Sequence, residues 1–303
     1  MTSKDVYLQP DAADPVLSDE FVRELISRHA EVTPGEVVVD ETGGEARTYL
    51  CGDVVLKTQR PHRRRPRTSL EKEAFILEEI DRQITLPLPR VLGYGHDGGV
   101  EYELLSRIPG VALRDKSLDI AARSAVLKEL GRVLRQIHEV DQTQFRLSPL
   151  VPGDAEAPDT VRRLTEHFDE LSTSIEHLGA VPNLGRLREK IFHGIAHDFD
   201  TVVLHSNPGA EHCFVDPLAE TFCGLIDFGD SYRSHPALDV CSWRSVEDSK
   251  EILTGYASSG PLSSSFMNVW RAGIIVSELR LLAGGYREVQ ESSTSIAELM
   301  STS

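Results

Sequence analysis

The prevailing spacing of apolar residues in this 303-residue chain changes near Gly110, and that change predicts a β-rich part followed by an α-rich part. Before it come short runs of β-branched and aromatic residues: VVVD at 37–40, RTYL at 47–50 and DVVLKT at 53–58. Gly43–Gly44 supplies a turn between the first two. Two more strands follow in VLGYG and EYELLSRIPG, which completes a small, mostly antiparallel sheet by about residue 106. A helix from about residue 69 separates the two groups of strands, with Leu70, Ala74, Leu77 and Ile80 at helical spacing. Thr68 with Glu71 predicts a capping box at its start, and the segment around Pro87 and Pro89 ends it. A short helix over 16–31, with Phe21, Leu25 and Ile26 on one face, precedes the sheet.

After Gly110 the pattern is helical. Leu127, Leu130, Leu134 and Ile137 lie on one face of a helix ending near His138, and 158–178 and 183–199 are further helices. VVLH, HCFVD and FCGLIDFG then read as short strands between turns. From 247 the helical period returns, interrupted at Gly284–Gly285, and the Ser/Thr-rich end ESSTSIAELMSTS is expected to fray. The predicted fold class is α+β with two lobes, a small β-rich lobe over 1–106 and a larger α-helical lobe over 107–303.

The composition excludes several classes of protein. No apolar run approaches the ~18–20 residues of a membrane span. The start, MTSKDVYLQPDAADP, lacks the layout of a signal peptide, and Cys51, Cys213, Cys223 and Cys241 form no C-x-x-C pair. A reduced, cytoplasmic protein is expected. A net charge of −16 argues against nonspecific nucleic-acid binding and suits a cationic substrate, or solubility alone. Arg60, Arg63, Arg64, Arg65 and Arg67 crowd one short stretch, which reads either as a solvated loop or as a contact for an anionic ligand or acidic peptide at Arg63–Arg65.

Two places carry chemistry. Lys57 sits in the middle of an apolar strand, where an ammonium is costly unless paired, and Glu73 in the next helix is its natural partner. The stronger signal is the run 204–230, LHSNPGAEHCFVDPLAETFCGLIDFGD: a loop from His205, two strands joined through 216–220, then Asp227-Phe228-Gly229-Asp230.

That run resembles the catalytic segment of the aminoglycoside-phosphotransferase family, whose pattern is H-G-D, four residues, N or H, a hairpin and I-D-[FWLY]-G, with D-P-x-x-D in a later helix. His205 matches the loop histidine, His212 the metal-binding Asn/His and Asp227 the metal-binding Asp. His235-Pro236-Ala237-Leu238-Asp239 matches the last element, whose final Asp braces the catalytic loop. Lys57 and Glu73, in EKEAFIL, match the family's lysine and helix glutamate, and QIHEVD resembles its L-H helix end. ELLSRIPG matches the segment connecting the lobes, which implies Leu104 and Ser106 beside the nucleotide. The resemblance spans roughly residues 35–290 and implies a protein-kinase-like fold, with a nucleotide-binding lobe over 1–106 and the catalytic loop and acceptor site within 107–303. It further implies ATP or GTP as donor and Mg²⁺ held by His212 and Asp227. Acceptor carboxylates in the helical lobe have candidates in Glu166, Asp169, Glu170, Glu247, Asp248 and Glu278, which read equally as solvated helix faces.

One departure bears on activity. The family's catalytic aspartate falls on Asn207, and its glycine on Ser206. An asparagine can hold an acceptor hydroxyl but cannot take its proton near neutral pH, and losing a general base costs ~10²–10⁴ in rate. Two readings follow. One is a phosphotransferase acting on a hydroxyl of a small molecule or natural-product peptide, with Asn207, His205 and Asp227 as catalytic residues. The other is a catalytically impaired relative that binds a nucleotide, substrate or partner.

Overall fold

A computed structural model describes residues 7–31, 35–66, 68–153, 157–179, 181, 183–195, 199–243 and 245–301. Five antiparallel strands form the first sheet: β1 (Val37–Asp40), β2 (Ala46–Cys51), β3 (Val54–Gln59), β4 (Val91–Asp97) and β5 (Val100–Ser106), in the order β1-β2-β3-β5-β4. Side chains alternate across it. Tyr49, Leu56, Tyr102 and Leu104 face one way and pack with Val22, Leu25 and Ile26 of helix α1 (Asp19–Ser27), whose start Ser18 caps. Lys57 and Glu103 are cross-strand partners, as are Val55 and Leu105, so these four share the opposite face.

Helix α2 (Leu70–Asp81) covers that second face through Ile76, Leu77 and Ile80. Its cap differs from the one the sequence predicts. Ser69, not Thr68, accepts the hydrogen bond from the Lys72 amide, and the Thr68 hydroxyl donates instead to Asp230 Oδ1 at 2.5 Å. Two hydroxyls stand side by side, and the one freed from capping is drawn to a carboxylate 162 positions away in the chain.

Beyond β5 the chain turns at Gly110, whose φ of +93° and close approach to the Val215 carbonyl leave no room for a side chain. Strand β6 (Val111–Ala112) then joins the sheet β6-β8-β9, made with β8 (Cys213–Val215) and β9 (Phe222–Leu225). Strand β7 (Val202–Leu204) pairs with β10 (Tyr232–Ser234), a strand that the sequence does not predict. The helices are α3 (Ile120–Glu139), α4 (Thr143–Leu147), α5 (Ala157–Ile175), α6 (Leu184–Phe192), α7 (Ala237–Val240), α8 (Val246–Tyr256), α9 (Ser264–Ala283) and α10 (Val289–Ser301). Helices α3 and α8 cross closely because Gly131 and Gly255 present no side chains there: a Cβ on Gly255 would lie 1.9 Å from the Lys128 carbonyl oxygen. The carboxy-terminal segment expected to fray is helical to Ser301, held by buried Ile296 and Leu299. Among the described residues, no helix is long and apolar enough to cross a membrane.

Candidate nucleotide and metal site

Strand β3, helix α2 and the loop after β9 converge on one ammonium. Lys57 Nζ donates to Glu73 Oε2 at 2.6 Å and to Asp227 Oδ1 at 3.1 Å. Glu73 is almost fully buried, and its second oxygen, Oε1, accepts the Phe228 amide at 3.3 Å. The helix carboxylate therefore holds both the strand lysine and the backbone beside Asp227. Burial alone would strip the proton from Lys57, but the charges of Asp227 and Glu73 overcome it and raise its pKa. The same ammonium draws the Asp227 carboxyl far below the usual range, against its own burial. Burial pushes Glu73 upward, with Lys57 opposing.

Asp227 also faces His212, whose Nε2 lies 3.2 Å from Asp227 Oδ2. His212 Nδ1 is 2.7 Å from the Asn207 carbonyl, which can only accept, so Nδ1 carries a proton and Nε2 is the atom turned to the carboxylate. Burial works against charge on His212, yet its hydrogen bond to Asp227 raises the pKa. Among the described residues, no three His, Cys, Asp or Glu side chains come together to hold a metal unaided. The Asp227 carboxylate is the kind of oxygen ligand that Mg²⁺ takes together with phosphate oxygens and water, and His212 Nε2 would join it only after giving up the proton it shares with Asp227. Asp227 adopts φ +74°, a left-handed backbone unusual away from glycine and a sign of a surrounding that over-determines it.

The loop carrying Asn207 is braced from below. Asp239, in helix α7, accepts the backbone N–H of His205 at 2.7 Å through Oδ2 and that of Ser206 at 2.8 Å through Oδ1. His138 Nε2 lies 3.1 Å from Asp239 Oδ2, and His138 Nδ1 lies 3.0 Å from the Tyr256 hydroxyl. The close crossing of α3 and α8 thus reaches the loop through a buried histidine. Ser206 takes φ +75° where a glycine would be unstrained, and its hydroxyl donates to the Asp230 carbonyl at 3.1 Å. His205 is fully buried; its Nε2 donates to the Ile226 carbonyl at 2.8 Å, and its Nδ1 accepts the Asn207 amide at 3.3 Å. Burial pushes its pKa down to about 4. A neutral imidazole sealed beneath the loop shapes the Asn207 backbone and does not face the cleft, whereas the Asn207 side chain is exposed.

The predicted residues therefore divide. Lys57, Glu73, Asp227, His212 and Asn207 come together, with His205 as the floor of the loop. Ser106 ends β5, and its hydroxyl accepts the Arg90 amide at 2.8 Å. Leu104 does not belong to the group, because its side chain packs on the α1 face of the sheet. The residues beside Lys57 are Glu103 and Leu105, one position to either side. Glu103 escapes sequence reasoning altogether. It is fully buried, neither carboxylate oxygen has a hydrogen-bond partner, and burial together with the charge of Glu73 raises its pKa well above the usual range. Its one signal in the sequence is an acidic residue inside the apolar run of β5.

The arginine cluster is dismantled by the fold. Arg60 is buried, with NH2 3.0 Å from Asp14 Oδ2, on a carboxylate that it shares with Arg47. Arg65 pairs with Glu45 and Asp230, Arg67 lies outside the described residues, and Arg63 and Arg64 are exposed. Within Arg63–Arg65, then, Arg65 is neutralised internally and Arg63 and Arg64 are left facing solvent, so no built anion contact supports the anionic-ligand expectation. Four of the six candidate acceptor carboxylates are similarly engaged. Glu166 pairs with Arg162, Asp169 with Arg188, Asp248 with Arg123, and buried Glu278 with Arg287.

A family model described as "Phosphotransferase enzyme family" matches residues 36–257, which contain every element of the site. The chain belongs to the phosphotransferase enzyme family. Solved structures of the same fold include the macrolide 2'-phosphotransferase MphH from Brachybacterium faecium, with TM-score 0.59 and 17% identity over 91% of this chain and 97% of that one. They also include the streptomycin–ATP ternary complex of the phosphotransferase APH(2")-IIa, with TM-score 0.55 and 15% identity over 95% and 97%. The GDP complex of aminoglycoside 2'-phosphotransferase-IIIa has TM-score 0.57 and 14% identity over 93% and 97%. These likenesses establish the α+β, aminoglycoside-kinase-like fold. No curated protein matches the sequence.

Proposed function

We propose that this member of the family is a nucleotide-dependent phosphotransferase, moving a phosphoryl group from ATP or GTP to a hydroxyl of a small molecule. The observation that carries this is the Lys57 ammonium bridging Glu73 and Asp227, since a charged lysine fixed beside a carboxylate and an imidazole is what a polyphosphate requires. A lobe boundary at residues 106 and 107 would put the donor site between the sheet and the loops that follow it, a reading that the order of the elements supports.

In the reaction, Glu73 orients Lys57, and Lys57 takes the charge of the donor phosphates. His212 and Asp227 would hold Mg²⁺, which neutralises charge developing on the phosphate oxygens. Asn207 lies at the exposed tip of the braced loop and positions the acceptor hydroxyl through its amide. It takes no proton, so as the nucleoside diphosphate leaves, the hydroxyl proton passes late to solvent or to an oxygen of the transferred phosphoryl group, as a loose transition state allows. His205 and Asp239 act through the loop backbone as positioning residues. The structural neighbours bear names or ligands of two antibiotic classes, macrolides and aminoglycosides, which supports a small-molecule acceptor without choosing one.

Asn207 in place of a carboxylate favours the second reading, a protein that binds nucleotide without efficient transfer. Both readings share the first test. Millimolar Mg²⁺ with ATP or GTP should raise the melting temperature by mass action, and Lys57→Met and Asp227→Ala should each abolish the shift. If neither nucleotide moves the wild-type transition, the nucleotide assignment fails for both. Acceptor-free hydrolysis, measured next, separates the enzyme from the binding protein.

A further inference from the structure

Arg65 stands in the loop between β3 and α2, yet its contacts are with two other parts of the molecule. Its NH2 donates to both oxygens of Asp230, at 3.0 Å and 2.8 Å, and its Nε pairs with the carboxylate of Glu45. Glu45 follows Gly43–Gly44 in the turn between β1 and β2, and its backbone carbonyl is held by the Arg60 amide at 2.9 Å. Asp230 follows Asp227-Phe228-Gly229 and is fastened on three sides: Arg65, the Thr68 hydroxyl, and the Ser206 hydroxyl on its carbonyl. Lys72 Nζ donates to the next carbonyl, that of Ser231, at 2.8 Å. A Cβ built on Gly229 would lie 3.3 Å from the Thr68 side chain, 3.7 Å from Glu73 Oε2 and 3.9 Å from Asp227 Oδ1, so this fastening lies directly against the lysine–carboxylate site.

We propose that Arg65 is a positioning residue of the nucleotide site, a latch that joins the Gly43–Gly44 turn to the segment carrying Asp227 and so holds both walls of the phosphate end in register. This rests on the nucleotide-site reading above. A single guanidinium suits the task because its fork can engage two carboxylates at once, which an ammonium does less well. The Thr68 hydroxyl also stands at both Glu45 and Asp230 but carries no charge, so without Arg65 two partly buried carboxylates would face one another across the gap. The latch also explains why Arg65 is folded inward beside exposed Arg63 and Arg64.

The test is Arg65→Met, which keeps the stem and removes the charge. Nucleotide affinity should fall about ten-fold, and Arg65→Lys should restore part of it. Combining Arg65→Met with Asp230→Asn should cost little more than Arg65→Met alone, because both break one link. Hydrogen exchange without nucleotide gives a readout that binding does not supply: amides of 41–46 and of 228–231 should both exchange faster in Arg65→Met. Equal exchange in the two proteins, or additive losses in the double variant, would overturn the latch. Faster exchange in both segments, together with a wild type that binds neither ATP nor GTP, would uphold the mechanical link while removing the nucleotide reading it serves.

Discussion

Replacing Lys57 with methionine keeps most of the side-chain volume and removes the charge on which the site is built. The gross attraction lost is about 6 kcal/mol to Glu73 and about 5 kcal/mol to Asp227 at an effective dielectric constant of about 20. Desolvation of all three groups offsets much of that. What remains after Lys57→Met is a nearly fully buried Glu73 carboxylate without its cation, 2.6 Å from where the cation stood. Breaking such a pair from one side costs about 3–5 kcal/mol. Urea denaturation followed by the fluorescence of Trp243 and Trp270, both buried in the larger core, reads the loss directly. Two controls bear on its cause. Lys57→Met/Glu73→Leu removes both charges and should recover much of the lost stability, since the Phe228 amide left without its acceptor costs less than an unpaired buried carboxylate. Lowering the pH should also shrink the deficit of Lys57→Met, because Glu73, with burial raising its pKa and no cation opposing, takes up a proton. A Lys57→Met protein within about 0.5 kcal/mol of wild type, or a double variant less stable than the single, would refute the buried-pair account.

Other consequences are open to measurement. Asn207→Asp leaves the backbone contacts to His205 and His212 in place and adds a proton acceptor at the exposed loop tip, so hydrolysis or transfer should rise about ten-fold, ~1.4 kcal/mol of barrier; a fall would mean that the asparagine is adapted to the reaction. Glu103→Gln isolates the orphaned carboxyl beside Lys57. Its folded pKa lies well above the unfolded value near 4.5, so the stability it contributes in protonated form is full below that pH and lost as pH rises through the folded value. Glu103→Gln, neutral throughout, should match wild type near pH 4 and exceed it at pH 8, and a difference independent of pH would contradict this.

Much of this architecture follows from local chemistry. Alternation in 53–58 and the helical period after 69 place Lys57 and Glu73 on adjoining elements, and an ammonium in an apolar strand demands a partner whatever the fold. The turns around 204–230 likewise set the order of loop, hairpin and Asp227. What the sequence leaves open is decided by groups far apart in the chain. Thr68 and Ser69 are both competent caps, and only the arrival of Asp230 assigns one to the helix and the other to the inter-segment network. The arginines of 60–67 look alike as a string, yet Asp14, Glu45 and Asp230 draw Arg60 and Arg65 inward and leave Arg63 and Arg64 to water. In β5 a shift of one residue changes the face of the sheet, so Leu104 turns to α1 while Glu103 and Leu105 turn toward Lys57. The polar end of the chain becomes a helix because Ile296 and Leu299 reach a surface that only the folded helices create. Periodicity and turn chemistry act within a few residues of the chain, whereas charge pairing and burial act through space, and a space of this kind exists only once the distant segments have packed.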